Sequence, residues 1–209
     1  MNNSSLYLDL LERVLTRTGF EEGRDLAREP TWLPPEIRRQ PKRRLLRAVG
    51  RLAASRGFRL LDMRPVEDRI RDLGLDWPTD AETMVGRMRL HHLRNCVEEV
   101  LRRDVPGDLI ETGVWRGGAS ILMKGVLAAA GNDTRRVYVA DSFRGLPAPD
   151  PRNAADAGFD LHEFDELAVG VQAVRANFER YGLLDDNVKF LVGWFTEPGC
   201  TAEYLTRLS

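Results

Sequence analysis

The chain has 209 residues, 43% of them hydrophobic, which is enough for one sizeable core with an appendage. Lysine and arginine number 31 against 32 acidic residues, so the formal net charge of -1 gives no indication of a nucleic-acid binder. Cys96 and Cys200 are the two cysteines, too few for a disulfide scaffold. No apolar run reaches the roughly 18 to 20 residues of a spanning helix, and the polar start lacks a basic leader region. We therefore expect a cytoplasmic protein without stable membrane insertion.

The first 75 residues contain two amphipathic segments. Residues 6–18 predict a helix whose apolar face is formed by Leu6, Leu10, Val14 and Leu15. Residues 37–61 hold nine basic residues and no acidic one, with apolar residues at helical spacing. Such a segment can lie on an anionic membrane or on RNA, but single amphipathic helices more commonly pack on their own domain. We expect packing, and assign residues 1–75 to a helical cap.

Residues 76–209 alternate between helical and strand patterns. A long helix is predicted over 81–103, with Thr83 as the candidate cap near its start. The following pattern predicts three strands separated by two helices: strand 108–113, helix 119–130, strand 137–141, helix 166–181 and strand 188–192. Strands alternating with helices predict an α/β domain with a parallel sheet covered on both faces.

Acidic residues lie at the ends of the first two predicted strands. Ligands of open parallel sheets bind beyond the carboxyl ends of the strands. The first strand leads into Glu111-Thr112-Gly113-Val114-Trp115-Arg116-Gly117-Gly118, and the second ends at Asp141. The glycines let the backbone turn sharply and approach a ligand closely, next to the amino end of a helix. This edge of the sheet is the candidate binding site.

Three kinds of nucleotide site compete at this turn. A phosphate-binding P-loop fits Gly113 and Gly118, but Ala119 stands where lysine is required. A dinucleotide site needs G-x-G-x-x-G, and the observed G-x-x-x-G-G makes an NAD(P)-dependent oxidoreductase the weaker alternative. An acid in E-x-G-x-x-x-G suits a cofactor with a cationic amino-acid portion and no phosphate, such as S-adenosylmethionine. Asp141, 23 residues after Gly118, is placed to accept the hydroxyls of its ribose.

Several strings resemble the macrocin O-methyltransferase (TylF-type) family of class I methyltransferases. They are TMVG (83–86), PGDLIETGVWRGG (106–118), VADSFRGLP (139–147), NFERYGLLDD (177–186) and GWF (193–195). The resemblance implies a Rossmann-like fold of three α/β/α layers with a parallel sheet and a helical cap. It also implies an S-adenosylmethionine-dependent O-methyltransferase that acts on a sugar hydroxyl of a macrolide-like glycosylated natural product in antibiotic biosynthesis.

The same resemblance implies a set of cofactor-binding residues at the strand ends and on the covering helix. They are Thr83, Met84, Arg89, Glu111, Thr112, Gly113, Gly117, Ser120, Asp141, Ser142, Gly193, Trp194 and Phe195. Core packing is an equal interpretation for Trp194, because aromatic residues fill interiors as often as they stack on ligands. His162, in the long loop after the second strand, is the catalytic candidate, as a base or an acceptor contact. A solvated loop histidine is the alternative.

Family members hold a magnesium ion with aspartates after the fourth and fifth strands. The sequence ends at Ser209, before either strand, so we assign no metal ligand and expect a fold incomplete at the C-terminus. The first strand would then form an exposed sheet edge, and we expect a homo-oligomer or completion by another chain. Catalysis by this chain therefore stays open against a non-catalytic partner module that binds S-adenosylmethionine.

Overall fold

The computed structural model describes residues 3–20, 24–28, 41–63, 67–76, 78–150, 152 and 161–195. Residues 37–40 of the basic segment and Cys200 lie outside these ranges. The helices are α1 Asn3–Thr16, α2 Pro41–Ala54, α3 Asp68–Leu73, α4 Arg87–Arg102, α5 Gly118–Ala129 and α6 Val171–Arg180. The strands are β1 Arg24–Asp25, β2 Leu61–Asp62, β3 Leu109–Thr112, β4 Val137–Asp141 and β5 Val188–Val192. Single 3₁₀ turns cover Leu26–Arg28, Leu161–Glu163 and Asp165–Leu167.

The predicted parallel sheet is confirmed. Strands β3, β4 and β5 lie side by side in that order, and β1 and β2 form a separate antiparallel pair. Glu111 lies opposite Val139, and Asp141 lies opposite Val192. Within the described residues β3 is an edge strand, and its Ile110 is 38% exposed. The ends of all three strands therefore reach the same edge of the sheet.

The two faces of the sheet carry different clusters of buried side chains. Val137 and Val139 belong to the main core, together with residues of α1, α4, α5 and α6. Tyr138, Ala140 and Leu191 form a smaller cluster, because side chains alternate between faces along a strand. Strand β4 is thus buried on both faces, as a central strand of an α/β sheet should be.

Helix α1 joins the main core, but through a face on which Leu15 is the one fully buried residue of the four that were predicted. Leu8, Leu11 and Leu15 are buried, whereas Leu6 is 52% and Leu10 59% exposed. The close approach to α5 is the reason. A Cβ added to Gly125 of α5 would lie 2.4 Å from Leu11 Cδ2, so a larger residue there would force the Leu11 side chain to shift.

An ion-pair cluster also holds α1 against α4. Buried Arg94 donates to Asp9 at 2.6 Å, to Glu12 at 3.4 Å and to Glu98 at 2.8 Å. Glu12 is itself buried on α1, and its carboxylate lies between Arg94 and His91, whose Nδ1 is 3.3 Å from both of its oxygens. The boundary proposed at residue 75, between the helical cap and residues 76–209, stays a prediction, and α1 packs on the α/β core.

The expected burial of the apolar face of the basic helix is not found. In α2 only Gly50 is buried, and Leu45, Val49 and Leu52 are 65%, 44% and 56% exposed. The helix instead packs through Gly50 against Ala27, because a Cβ added to Gly50 would lie 2.9 Å from Ala27 N. Across the described part of the chain, no helix has the length and apolarity needed to cross a bilayer.

Two predicted helices begin later than expected. Helix α4 begins at Arg87 with Gly86 as N-cap, and not near Thr83. Close contact between Gly86 and the turn at Gly74 bends the chain here, since an added Cβ on Gly86 would lie 2.2 Å from Gly74 N. Helix α6 begins at Val171, because Asp165–Leu167 forms a separate 3₁₀ turn.

Candidate functional site

Glu111 and Ser120 connect the end of β3 to the first turn of α5. Glu111 Oε2 accepts the Ser120 backbone N–H at 2.9 Å and also accepts its hydroxyl. Helix α5 has no side-chain cap at Gly117, so Glu111 satisfies one of the free N–H groups at this helix end. Removal from water raises the pKa of Glu111 to about 7, the Ser120 hydrogen bonds oppose the rise, and Asp141 adds to it. Both protonation states of the Glu111 carboxyl are therefore populated near neutral pH.

Asp141 holds together the loops that follow β3 and β4. Its Oδ2 accepts the Val114 N–H at 2.6 Å, and its Oδ1 accepts the Phe143 N–H at 2.8 Å. The Gly193 N–H donates to the Asp141 carbonyl at 3.0 Å, which brings the end of β5 to the same place. A carboxylate oxygen has two lone pairs, so Asp141 can still accept a ligand hydroxyl.

The loop between β3 and α5 needs its glycines for different reasons. Gly113 has φ +83°, and a Cβ added there would meet nothing within 4 Å. Gly117 has φ +90°, and its added Cβ would lie 2.9 Å from Val174 Cγ1. Gly113 thus borders open space that a ligand can occupy, whereas Gly117 allows close packing against α6.

The segment before α4 closes one side of this loop. Thr83 is buried, and a Cβ added to Gly118 would lie 2.6 Å from Thr83 Cβ. The Gly118 N–H donates to the Glu82 carbonyl at 2.9 Å. The side-chain carboxylate of Glu82 accepts hydrogen bonds from Tyr181 Oη at 2.8 Å and from Arg180 Nη1 at 3.1 Å. Thr83 therefore lies at the amino end of α5, next to the predicted site.

The remaining candidate residues differ in how closely they are joined to Glu111 and Asp141. Arg89 Nη2 and the Met84 carbonyl lie beside Gly74, each 2.9 Å from an added Cβ there. The Ser142 hydroxyl lies within hydrogen-bond distance of Gly145 O, at 3.0 Å, and of Asp141 Oδ1, at 3.4 Å. Three others follow the strand ends: Thr112 is exposed, Trp194 is partly exposed and Phe195 is 48% exposed.

His162 lies in the 3₁₀ turn Leu161–Glu163 and is exposed. The turn is followed directly by Asp165–Leu167, whose Glu166 carbonyl accepts Trp115 Nε1 at 2.8 Å. The chain segment that carries His162 is thus attached to the loop after β3. The catalytic role of His162 stays a prediction.

Sequence reasoning missed four residues that shape the site: Trp115, Arg116, Asn177 and Glu82. Arg116 Nη1 donates to the carbonyls of Thr79 and Ala81 at 2.9 and 2.8 Å. Asn177 Nδ2 donates to the Arg116 carbonyl at 2.8 Å. Trp115, Arg116 and Asn177 belong to the strings that resemble the family, but their type and spacing carry no sign of these long-range partners.

The chemistry of the donor set fits a nucleoside cofactor and does not fit a metal. Glu111, Asp141 and open Gly113 provide two carboxylates and a backbone that a ligand can approach. Among the residues that the structure describes, no group of three or more His, Cys, Asp or Glu side chains could hold a metal ion. None of the described side chains is therefore assigned to magnesium.

The fold and this edge define a Rossmann-like α/β protein of the methyltransferase type. The family model described as Macrocin-O-methyltransferase (TylF) matches residues 4–208. The chain therefore belongs to the macrocin O-methyltransferase family, as the sequence predicts.

Relatives and a solved structure agree with this family. The chain is 41% identical over 203 residues to a demethyldecarbamoylnovobiocin O-methyltransferase of Streptomyces niveus, covering 96% of this chain and 66% of that protein. It is 48% identical over 141 residues to a mycinamicin III 3''-O-methyltransferase of Micromonospora griseorubida, covering 66% and 56%. The structure of the O-methyltransferase NovP matches 93% of this chain and 66% of its own, with a TM-score of 0.72 and 41% identity. The chain thus spans between half and two thirds of the length of the curated relatives.

Proposed function

We propose that this chain binds S-adenosylmethionine and belongs to an O-methyltransferase that acts on a sugar hydroxyl of a glycosylated natural product. The single observation that carries the proposal is the meeting of Glu111 and Asp141 at the ends of neighbouring parallel strands. The family and the names of the relatives, which are sugar or natural-product O-methyltransferases, support the same chemistry.

Each of the two carboxylates is suited to bind one portion of the cofactor. Glu111, when ionised, can pair with the cationic amino group of the methionine portion, next to the open backbone at Gly113. Asp141 can accept a ribose hydroxyl, since its Oδ2 accepts one hydrogen bond, from the Val114 N–H, and keeps a free lone pair. Thr83, Gly117 and Ser120 support these groups by closing the loop and fixing the helix end. Trp194 and Phe195, after β5, are proposed to border the adenine.

The cofactor supplies an electrophilic methyl group on a sulfonium. The protein has to hold the acceptor oxygen in line with that methyl, about 3 Å away, and accept the hydroxyl proton. His162 is proposed for the proton, because it is an exposed imidazole on a segment attached to the cofactor loop.

The test uses S-adenosylmethionine labelled in its methyl group, with mycinamicin III and demethyldecarbamoylnovobiocin as acceptors. Transfer of label to an acceptor by the wild type, and its loss in His162→Gln with unchanged affinity for S-adenosylhomocysteine, is the expected result. Binding of S-adenosylhomocysteine without transfer would indicate a partner module that only binds the cofactor. Absence of binding would overturn the proposal.

A further inference from the structure

The indole of Trp115 joins the loop after β3 to the segment that carries His162. Its Nε1 donates to the Glu166 carbonyl at 2.8 Å. Residues 161–168 form two consecutive turns, held by Phe164 N to Leu161 O at 3.3 Å and Ala168 N to Asp165 O at 3.1 Å. An anchor at Glu166 therefore fixes the position of the whole segment, including the turn of His162.

The backbone of Trp115 is in an unusual conformation for such a residue. Its φ is +51°, in the left-handed region that bulky side chains rarely adopt. Such a conformation persists only when the surroundings enforce it, and it is concentrated at functional sites. Here it turns the indole towards Glu166, two residues after open Gly113.

The indole ring is also held from its face. The Arg116 guanidinium lies 4.2 Å from the ring centroid, and the same group is fixed by the carbonyls of Thr79 and Ala81. Asn177 holds the backbone of Arg116 from α6. The segment before α4 and helix α6 thus hold the indole through Arg116. A shift of this loop would therefore also move Glu166.

The loop after β4 contacts the same segment. A Cβ added to Gly145 would lie 3.2 Å from Ala168 Cβ, so the turn that follows Asp141 packs directly against Ala168. Both loops that border the proposed cofactor site therefore support residues 161–168, one through a hydrogen bond and the other through packing.

We infer that Trp115 is a positioning residue that couples occupancy of the cofactor site to the order of segment 161–168, and hence to the placement of His162. The inference rests on the proposed function, because the ligand that stiffens the loop is the cofactor. Binding of the cofactor at Gly113 orders the loop, and the indole passes this order to Glu166.

The experiment measures hydrogen exchange of residues 161–168 with and without S-adenosylhomocysteine. The wild type should show slower exchange of these amides on binding. Trp115→Phe keeps the ring under Arg116 but loses the N–H, and its bound-state exchange should be about threefold to tenfold faster than that of the wild type. Glu166→Ala is the matched control, because it keeps the backbone carbonyl and should behave as the wild type.

A second readout separates local coupling from general loss of structure. The chain has three histidines, so the imidazole proton signal of His162 is assigned by its absence in His162→Asn. Addition of S-adenosylhomocysteine should shift this signal in the wild type and not in Trp115→Phe, at equal occupancy and an unchanged melting temperature. An equal shift and equal exchange in Trp115→Phe would overturn the inference. Failure of the wild type to bind S-adenosylhomocysteine would instead overturn the proposed function.

Discussion

The Glu111 carboxylate accepts both the backbone N–H and the hydroxyl of Ser120, which lies in the first turn of α5. One side chain therefore lies one residue before the end of β3, accepts an N–H group in the first turn of α5 and borders the proposed cofactor site. Removal from water and, to a smaller extent, the Asp141 carboxylate favour the neutral acid, whereas the Ser120 hydrogen bonds favour the ionised carboxylate. The pKa of about 7 is the balance of these effects.

Ser120→Ala removes the hydroxyl donor of this pair. Ser120 is fully buried, so the change should lower the free energy of unfolding by about 1 to 2 kcal/mol. Loss of the donor should also raise the pKa of Glu111 further. Chemical denaturation measures the first effect. Ser55→Ala is the control, because the Ser55 hydroxyl bond to Leu52 O is exposed, and its removal should leave stability unchanged.

The affinity for S-adenosylhomocysteine should depend on pH through Glu111. The ionised carboxylate pairs with the cationic amino group, so the affinity should rise about tenfold between about pH 6 and pH 8. Glu111→Gln should remove most of this rise. Titration calorimetry at a series of pH values measures it, and a flat wild-type profile would contradict a role of Glu111 in binding the amino group.

The stability of the free protein should show the opposite trend with pH. A carboxyl whose pKa is raised by folding contributes stability that is complete below the unfolded value of 4.5 and is lost as the pH rises through about 7. The wild type should therefore be less stable at pH 8 than at pH 6 by an increment that Glu111→Gln lacks. The two melting curves measured at both pH values provide the comparison.

Gly113 and Gly107 form a matched pair of glycines with positive φ. Their φ values are +83° and +112°, and an added Cβ would meet nothing within 4 Å at either position. Alanine should reduce stability by about 1 kcal/mol or more at both, because of the left-handed backbone. Only Gly113→Ala should also lower the affinity for S-adenosylhomocysteine, by about tenfold or more, because the added methyl group enters the proposed site. Equal affinities in the two variants would place the ligand elsewhere.

Arg94→Ala should loosen α1 from the rest of the protein. The change removes the guanidinium from the buried carboxylate of Glu12, which keeps His91 Nδ1 at 3.3 Å, and loss of one partner of a buried pair costs up to about 3 to 5 kcal/mol. Arg102→Ala on the same helix is the control. Arg102 pairs with Glu99 on the surface and is 68% exposed, so no measurable change is expected. Denaturation curves of both variants test the difference.

The sequence predicted the sheet and its acidic edge well, because those features depend on local patterns. Short β-branched runs that end in Glu111-Thr112-Gly113 and at Asp141 fix where strands stop and where ligands approach. The same patterns could not choose the buried face of α1, since leucines lie on both faces. That choice depends on Gly125 and Arg94, which lie far away in sequence.

Other features of the site had no sequence signal of their own. The left-handed backbone of Trp115 is typical of glycine, so residue type alone argues against it. The start of α4 at Arg87 follows from contact between Gly86 and Gly74, and not from the capping preference of Thr83. Exposure of the apolar face of α2 likewise depends on tertiary structure, and the periodicity of the α2 sequence did not predict it.

Titration of S-adenosylhomocysteine into the wild type, Glu111→Gln and Asp141→Asn tests the central proposal most directly. Asp133→Asn, a surface carboxylate change, is the control, and NAD is the competing ligand. We predict binding by the wild type and the control, at least about tenfold weaker binding by both site variants, and no binding of NAD. Unchanged affinity in both site variants, or preference for NAD, would contradict the assignment.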